Sequence, residues 1–162
     1  MVLLILCGWM TGHLMASSLR ERAAALETAI RLMDSLYDRL AFLQPPINRL
    51  IEAVGGQEPF NRLDYIQHTL TAIQKGERFA LCWPKALSLT NSGLDKEDAR
   101  VVAALSQNLG VTDLEGQLQF ISYTRKLLEE RLEKARANSQ KSGKLYQSLG
   151  LLGGLAVVVI LL

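Results

Sequence analysis

The clearest order in the chain is a seam of apolar positions. Leu19, Ala23, Leu26, Ile30, Met33, Tyr37 and Leu40 alternate spacings of four and three, the a/d pattern of a helix that lies against another helix. Arg20, Glu21, Arg22, Glu27, Arg31, Asp34 and Arg39 fall off that seam. The pattern predicts one helix that continues from the uncharged residues upstream and ends near Leu43. Gln44-Pro45-Pro46 stops it, because a proline disfavours helical geometry in the residue before it and lacks the N–H an interior position uses.

Pro46 is expected as the first residue of a short helix through Val54, ended by Gly55-Gly56. Pro59 is expected to open another, with Leu63, Ile66, Leu70 and Ile73 on one face and Gly76 at its end. Glu77 to Leu89 reads as helix, with Pro84 in a first turn or at a kink, and Thr90-Asn91-Ser92-Gly93 as a loop. Leu94, Val101, Val102, Leu105 and Leu109 give the next helix, with Gly110 just past its last turn. Thr112 and Glu115 have the capping-box spacing. They start a final helix whose face is Leu114, Leu118, Ile121, Leu128, Leu132 and Ala135, bending near Ser142-Gly143. No segment sustains period-two alternation, so the fold class is all-α: an antiparallel helical bundle whose two long helices continue into N- and C-terminal membrane anchors.

Charge divides the chain. No Asp, Glu, Lys or Arg precedes Arg20 or follows Lys144. Residues 1–19 are therefore expected to form an N-terminal transmembrane helix, at the lower limit of length for a span; a cleaved signal peptide and a buried helix are the competing readings. The sequence lacks the basic start of a signal and offers only Ala16-Ser17-Ser18 as a cleavage site, and Leu6 before Cys7 argues against lipidation. Residues 145–162 are expected to form a C-terminal transmembrane or membrane-inserted helix, and 20–144 a soluble helical domain. Lys141 and Lys144 would meet lipid phosphates beside it, while Gly150, Gly153 and Gly154 form a patch of small residues where another span could approach. Arg20, Arg22, Lys134 and Arg136 also lie on the inner flanks, which places the middle block in the cytoplasm by the positive-inside rule.

With 18 basic and 16 acidic residues interleaved, the chain lacks the basic stripe nucleic-acid binding requires. Cys7 and Cys82 have no metal spacing and read as free thiols. His13 and His68 have no partner in the sequence, and Asp95, Glu97 and Asp98 read as acids complementing a helix N-terminus. Glu129, Glu130 and Glu133 alternate with Lys126, Arg131 and Lys134 as a solvated face. No phosphate loop or nucleophile triad is present, so no catalytic, cofactor or metal residue is assigned and no enzyme is expected.

The run Leu109-Gly110-Val111-Thr112-Asp113-Leu114-Glu115-Gly116-Gln117 resembles the LG-x-x-D-x-x-x-Q segment of the stage III sporulation protein AB family. The short apolar start, Trp83 ahead of the middle loop, and the ending from Gly143 to Leu155 are similar to that family as well. The resemblance covers nearly the whole length and singles out Leu109, Gly110, Asp113 and Gln117 as a helix junction. It implies a non-enzymatic platform subunit of the sporulation complex joining mother cell and forespore, similar to the helical domain of the type II secretion platform protein. The implied partners are other stage III sporulation proteins, a cytoplasmic ATPase, integral membrane subunits, the lipid bilayer and further copies of the chain. The implied place is the mother-cell membrane facing the forespore. A membrane-anchored helical regulator or sensor has the same build and is the alternative; a degenerate enzyme is the third reading.

Overall fold

A computed structural model describes the backbone of residues 2–161 and the side chains of 18–138; the latter are the described residues below. Two long helices, α1 (Val2–Leu43) and α6 (Leu114–Leu161), enclose four short ones: α2 (Ile47–Gly55), α3 (Asp64–Gln74), α4 (Phe79–Leu89) and α5 (Lys96–Ala103). Single 3-10 turns at Phe60–Arg62 and Ala104–Gln107 join α2 to α3 and extend α5. The described residues contain no strand, as the absence of period-two patterning implies.

Helices α1 and α6 run antiparallel, since Glu27 pairs with Arg136 and Asp34 with Arg125. The buried face of α1 comprises Leu26, Ala29, Leu32, Met33, Leu36 and Leu40. Three members of the expected seam, Leu26, Met33 and Leu40, are among them. The intervening positions are corrected: Ala29 and Leu36 are buried in place of Ile30 and Tyr37, and Tyr37 is 39% exposed. Because α1 packs on both α6 and α2, its apolar stripe is wider than a two-helix seam and centred to one side of it. The face of α6 follows the sequence pattern more closely, with Ile121, Leu128, Leu132 and Ala135 buried beside Thr124.

Prolines move several boundaries. Gln44 adopts φ 45° between α1 and the proline pair, a left-handed stop that reverses the chain. Pro46 precedes α2 in an extended conformation and is not its first residue. Pro59 leads only a 3-10 turn, and α3 starts at Asp64 after extended Leu63. Pro84 lies inside α4. Its ring removes one helical hydrogen bond, whose acceptor would belong to Ala80, an exposed residue. The helix expected over 94–109 is likewise divided into α5 and a tighter 3-10 end.

Trp83 is the centre of the middle layer. It is fully buried, its ring sits edge-on to Tyr65 at 5.6 Å and tilted against Phe79 at 5.3 Å. Its indole Nε1 donates to the Val102 carbonyl over 2.9 Å, tying α4 to α5. Gly55 lets α2 and α3 approach closely: a Cβ there would lie 2.8 Å from Ile66 Cγ2 and 2.9 Å from Leu70 Cδ1.

Among the described residues no helix is long and apolar enough to cross a membrane. The expected spans at 1–19 and 145–162, the bend near Ser142-Gly143, and Lys141, Lys144, Gly150, Gly153 and Gly154 lie outside the described residues.

Candidate functional site

The segment joining α5 to α6 gives each residue of its motif a mechanical part. Leu109 is buried, and Gly110 takes φ +77°, the left-handed conformation that glycine enters without strain. A Cβ at Gly110 would also come within 3.3 Å of Ile47 Cβ and Cγ2, so the turn lies directly on the first residue of α2. Asp113 caps α6: its Oδ1 accepts from Gly116 N at 3.1 Å, satisfying one of the free donors at a helix start. Gln117 closes the loop from one turn further on. Its Oε1 accepts from Gly110 N at 3.0 Å, and its Nε2 donates to the Thr112 carbonyl at 2.7 Å.

The capping box expected from Thr112 and Glu115 is therefore corrected by one position. Thr112 Oγ1 turns back to the Asn108 carbonyl at 3.4 Å, and the cap belongs to Asp113. Gly116 makes the cap compact, since a Cβ there would stand 2.7 Å from Asp113 Oδ1.

At the other end of the bundle an ionic clasp joins three helices. Asp98 of α5 has a side chain with 0% exposure. Arg22 of α1 reaches it with Nε at 2.7 Å and Nη2 at 3.2 Å, and Arg131 of α6 with Nη1 at 2.9 Å. Asp95 completes the group: Oδ1 accepts from the Asp98 N–H at 2.7 Å as the α5 N-cap, while Oδ2 lies 2.8 Å from Arg22 Nη2. Burial acts to raise the Asp98 pKa, but hydrogen bonds and charge from Arg22 and Arg131 outweigh it, and the carboxyl sits below its ordinary range. The same contact raises Arg22, its Asp98 hydrogen bond outweighing partial burial. A carboxylate held ionised by two guanidinium groups is an anchor and a poor proton acceptor at neutral pH.

Asp95, Glu97 and Asp98 do stand at the start of α5, as acids complementing a helix N-terminus, but each has a different part there. Asp95 caps, Glu97 pairs with exposed Arg100 at 2.6 Å, and Asp98 is buried. The signal for Asp98 was its register: it stands on the face of Leu94, Val102 and Leu105, where an acid demands a partner. Arg22 similarly extends the row of Leu26, Ala29 and Met33. Arg131, read as part of a solvated face, turns inward at the boundary of Leu128 and Leu132.

His68 lines a groove between α3 and α4 together with Cys82. Burial raises the Cys82 thiol pKa and thereby suppresses the thiolate. Among the described residues no group of His, Cys, Asp and Glu has a metal-binding arrangement.

No curated protein matches the chain. A solved structure of Stage III sporulation protein AB is similar in fold, with a TM-score of 0.63 at 17% identity, covering 74% of this chain and 97% of that one. The family model described as Stage III sporulation protein AB matches residues 1–162. The run from Leu109 to Gln117, the helical architecture and this full-length match agree: the chain belongs to the stage III sporulation protein AB family.

Proposed function

We propose that this protein is a non-enzymatic platform subunit of the sporulation complex between mother cell and forespore. In this reading the helical domain stands in the mother-cell cytoplasm, held by uncharged segments at both ends, and couples a cytoplasmic ATPase to integral membrane subunits. The observation that carries it is the antiparallel pairing of α1 and α6. Glu27 with Arg136, and Arg22 with Arg131 across Asp98, put the start of the described part of α1 beside the end of the described part of α6. Both chain ends then leave the bundle from one side, as a domain resting on a single membrane requires. Membership of a sporulation protein family supports the setting.

The build also suits transmission of force. Two long helices joined by a packed core and by a three-helix clasp move as one body, so displacement at the junction between α5 and α6 is felt at the opposite end. The likeness to the secretion platform domain belongs to the same proposal.

Affinity purification of the tagged full-length chain from sporulating cells, after mild detergent extraction, tests the role. Recovery of an ATPase together with integral sporulation proteins is expected. Recovery of intact chain with neither class would sink the platform reading.

A further inference from the structure

The groove between α3 and α4, about 470 Å³ in volume, has a construction that the platform role does not use. From α3 it is lined by Gln67, His68, Thr71 and Ala72, with Lys75 as that helix's C-cap, and from α4 by Cys82, Lys85, Ala86 and Leu89. His68, Thr71, Ala72 and Lys75, like Cys82, Lys85, Ala86 and Leu89, have the spacing i, i+3, i+4, i+7, so two ridges face one trough along about two helical turns. The small side chains of Ala72, Cys82 and Ala86 leave the trough open between them, the condition for a third helix to approach at roughly 8–10 Å between axes. Leu89 stands 69% exposed at the rim, an apolar side chain without cover.

The charge on the walls is one-sided. Lys75 stands on one wall and Lys85 on the other, and neither makes an ion pair among the described residues. Glu77 is the sole acid in the lining, and α4 carries none. An apolar trough with an ammonium group on each wall matches an amphipathic helix that buries leucine-sized side chains and carries carboxylates on the flanks of its apolar stripe.

We propose that the α3–α4 groove is a docking site for an acidic amphipathic helix of a partner protein. The groove recognises the partner's apolar stripe by shape and its orientation by Lys75 and Lys85.

The test uses the full chain in detergent micelles and a fluorescent, helix-stapled peptide with leucines at i, i+3, i+4 and i+7 flanked by glutamates. Saturable binding in anisotropy is expected, at least tenfold weaker for a matched peptide with lysine in place of glutamate. The double variant Lys75→Glu/Lys85→Glu, at exposed positions, should lose at least tenfold with an unchanged circular dichroism spectrum. Thr71→Trp, which fills the trough without altering charge, should weaken both peptides. Equal binding of the two peptides, or binding indifferent to all three substitutions, overturns the proposal. So does Thr71→Cys giving disulfide-linked dimers of the chain, which would assign the groove to a second copy. Peptide binding intact in the lysine variant while association of the chain with phosphatidylglycerol vesicles falls would assign the lysines to lipid and overturn it also.

Discussion

Asp98 joins three helices through one side chain, because its carboxylate is, among the described residues, the one acid that both Arg22 and Arg131 reach. Asp98→Ala removes the partner of two cations and is expected to cost about 3 kcal/mol, the lower part of the range for breaking a buried pair, since each arginine retains about a quarter of its exposure. Urea denaturation at pH 7 measures it. The pH dependence has a fixed sign. The folded-state pKa of Asp98 lies below the unfolded value of about 3.9, so its contribution is complete above that value and is lost as pH falls through the folded-state pKa. Acid titration of stability should therefore be steeper below about pH 4 in the native chain than in Asp98→Asn. At the junction, Gly110→Val combines a left-handed backbone with a contact on Ile47; the backbone alone should cost about 1–2 kcal/mol. Asp113→Ala loses a cap worth roughly 0.5–2 kcal/mol, and Gln117→Ala frees the Gly110 N–H and Thr112 carbonyl together. Equal and negligible effects in thermal melts of all three would remove the junction's structural role.

Helices were legible in the sequence where one face decides their burial, and less so where several partners share them. The stop at Gln44-Pro45-Pro46, the glycine ends at 55–56, 76 and 110, and the face of α6 follow from backbone chemistry and periodicity alone. The register of α1 does not, because Ile30 and Tyr37 satisfy a coiled-coil pattern as well as Ala29 and Leu36 do, and only the packing of α1 on α2 as well as on α6 selects between them. That selection is measurable: Leu36→Ala should cost about 2–5 kcal/mol, whereas Tyr37→Ala should cost under about 1.5 kcal/mol. Comparable losses would restore the simple seam. The same reasoning covers the clasp, in which Arg22 and Arg131 lie 76 and 33 residues from Asp98 in sequence; no spacing rule joins them, and only the amphipathic register of Asp98 hints at its burial. Trp83 was marked by family resemblance, but its hydrogen bond to Val102 depends on packing between helices that the sequence delimited poorly around Pro84.

In the molecule as a whole, the start of the described part of α1 stands beside the end of the described part of α6, and no Asp, Glu, Lys or Arg precedes Arg20 or follows Lys144. Residues 20–144 expressed alone should be soluble and strongly helical by circular dichroism, since the buried cluster from Leu26 to Ala135 lies wholly within them. The central claim is that this bundle faces the cytoplasm from a membrane that holds it at both ends. A single cysteine at Ser122, an exposed position on α6, with Cys7 replaced by serine and Cys82 left in the core, tests that directly. Protoplasts of sporulating cells would be treated with a membrane-impermeant thiol reagent before and after permeabilisation, and the alkali-washed membrane fraction collected. The account predicts that the chain stays with the membrane and that Ser122→Cys is labelled only after permeabilisation. Labelling of intact protoplasts, or release of the intact chain by alkali, would contradict it.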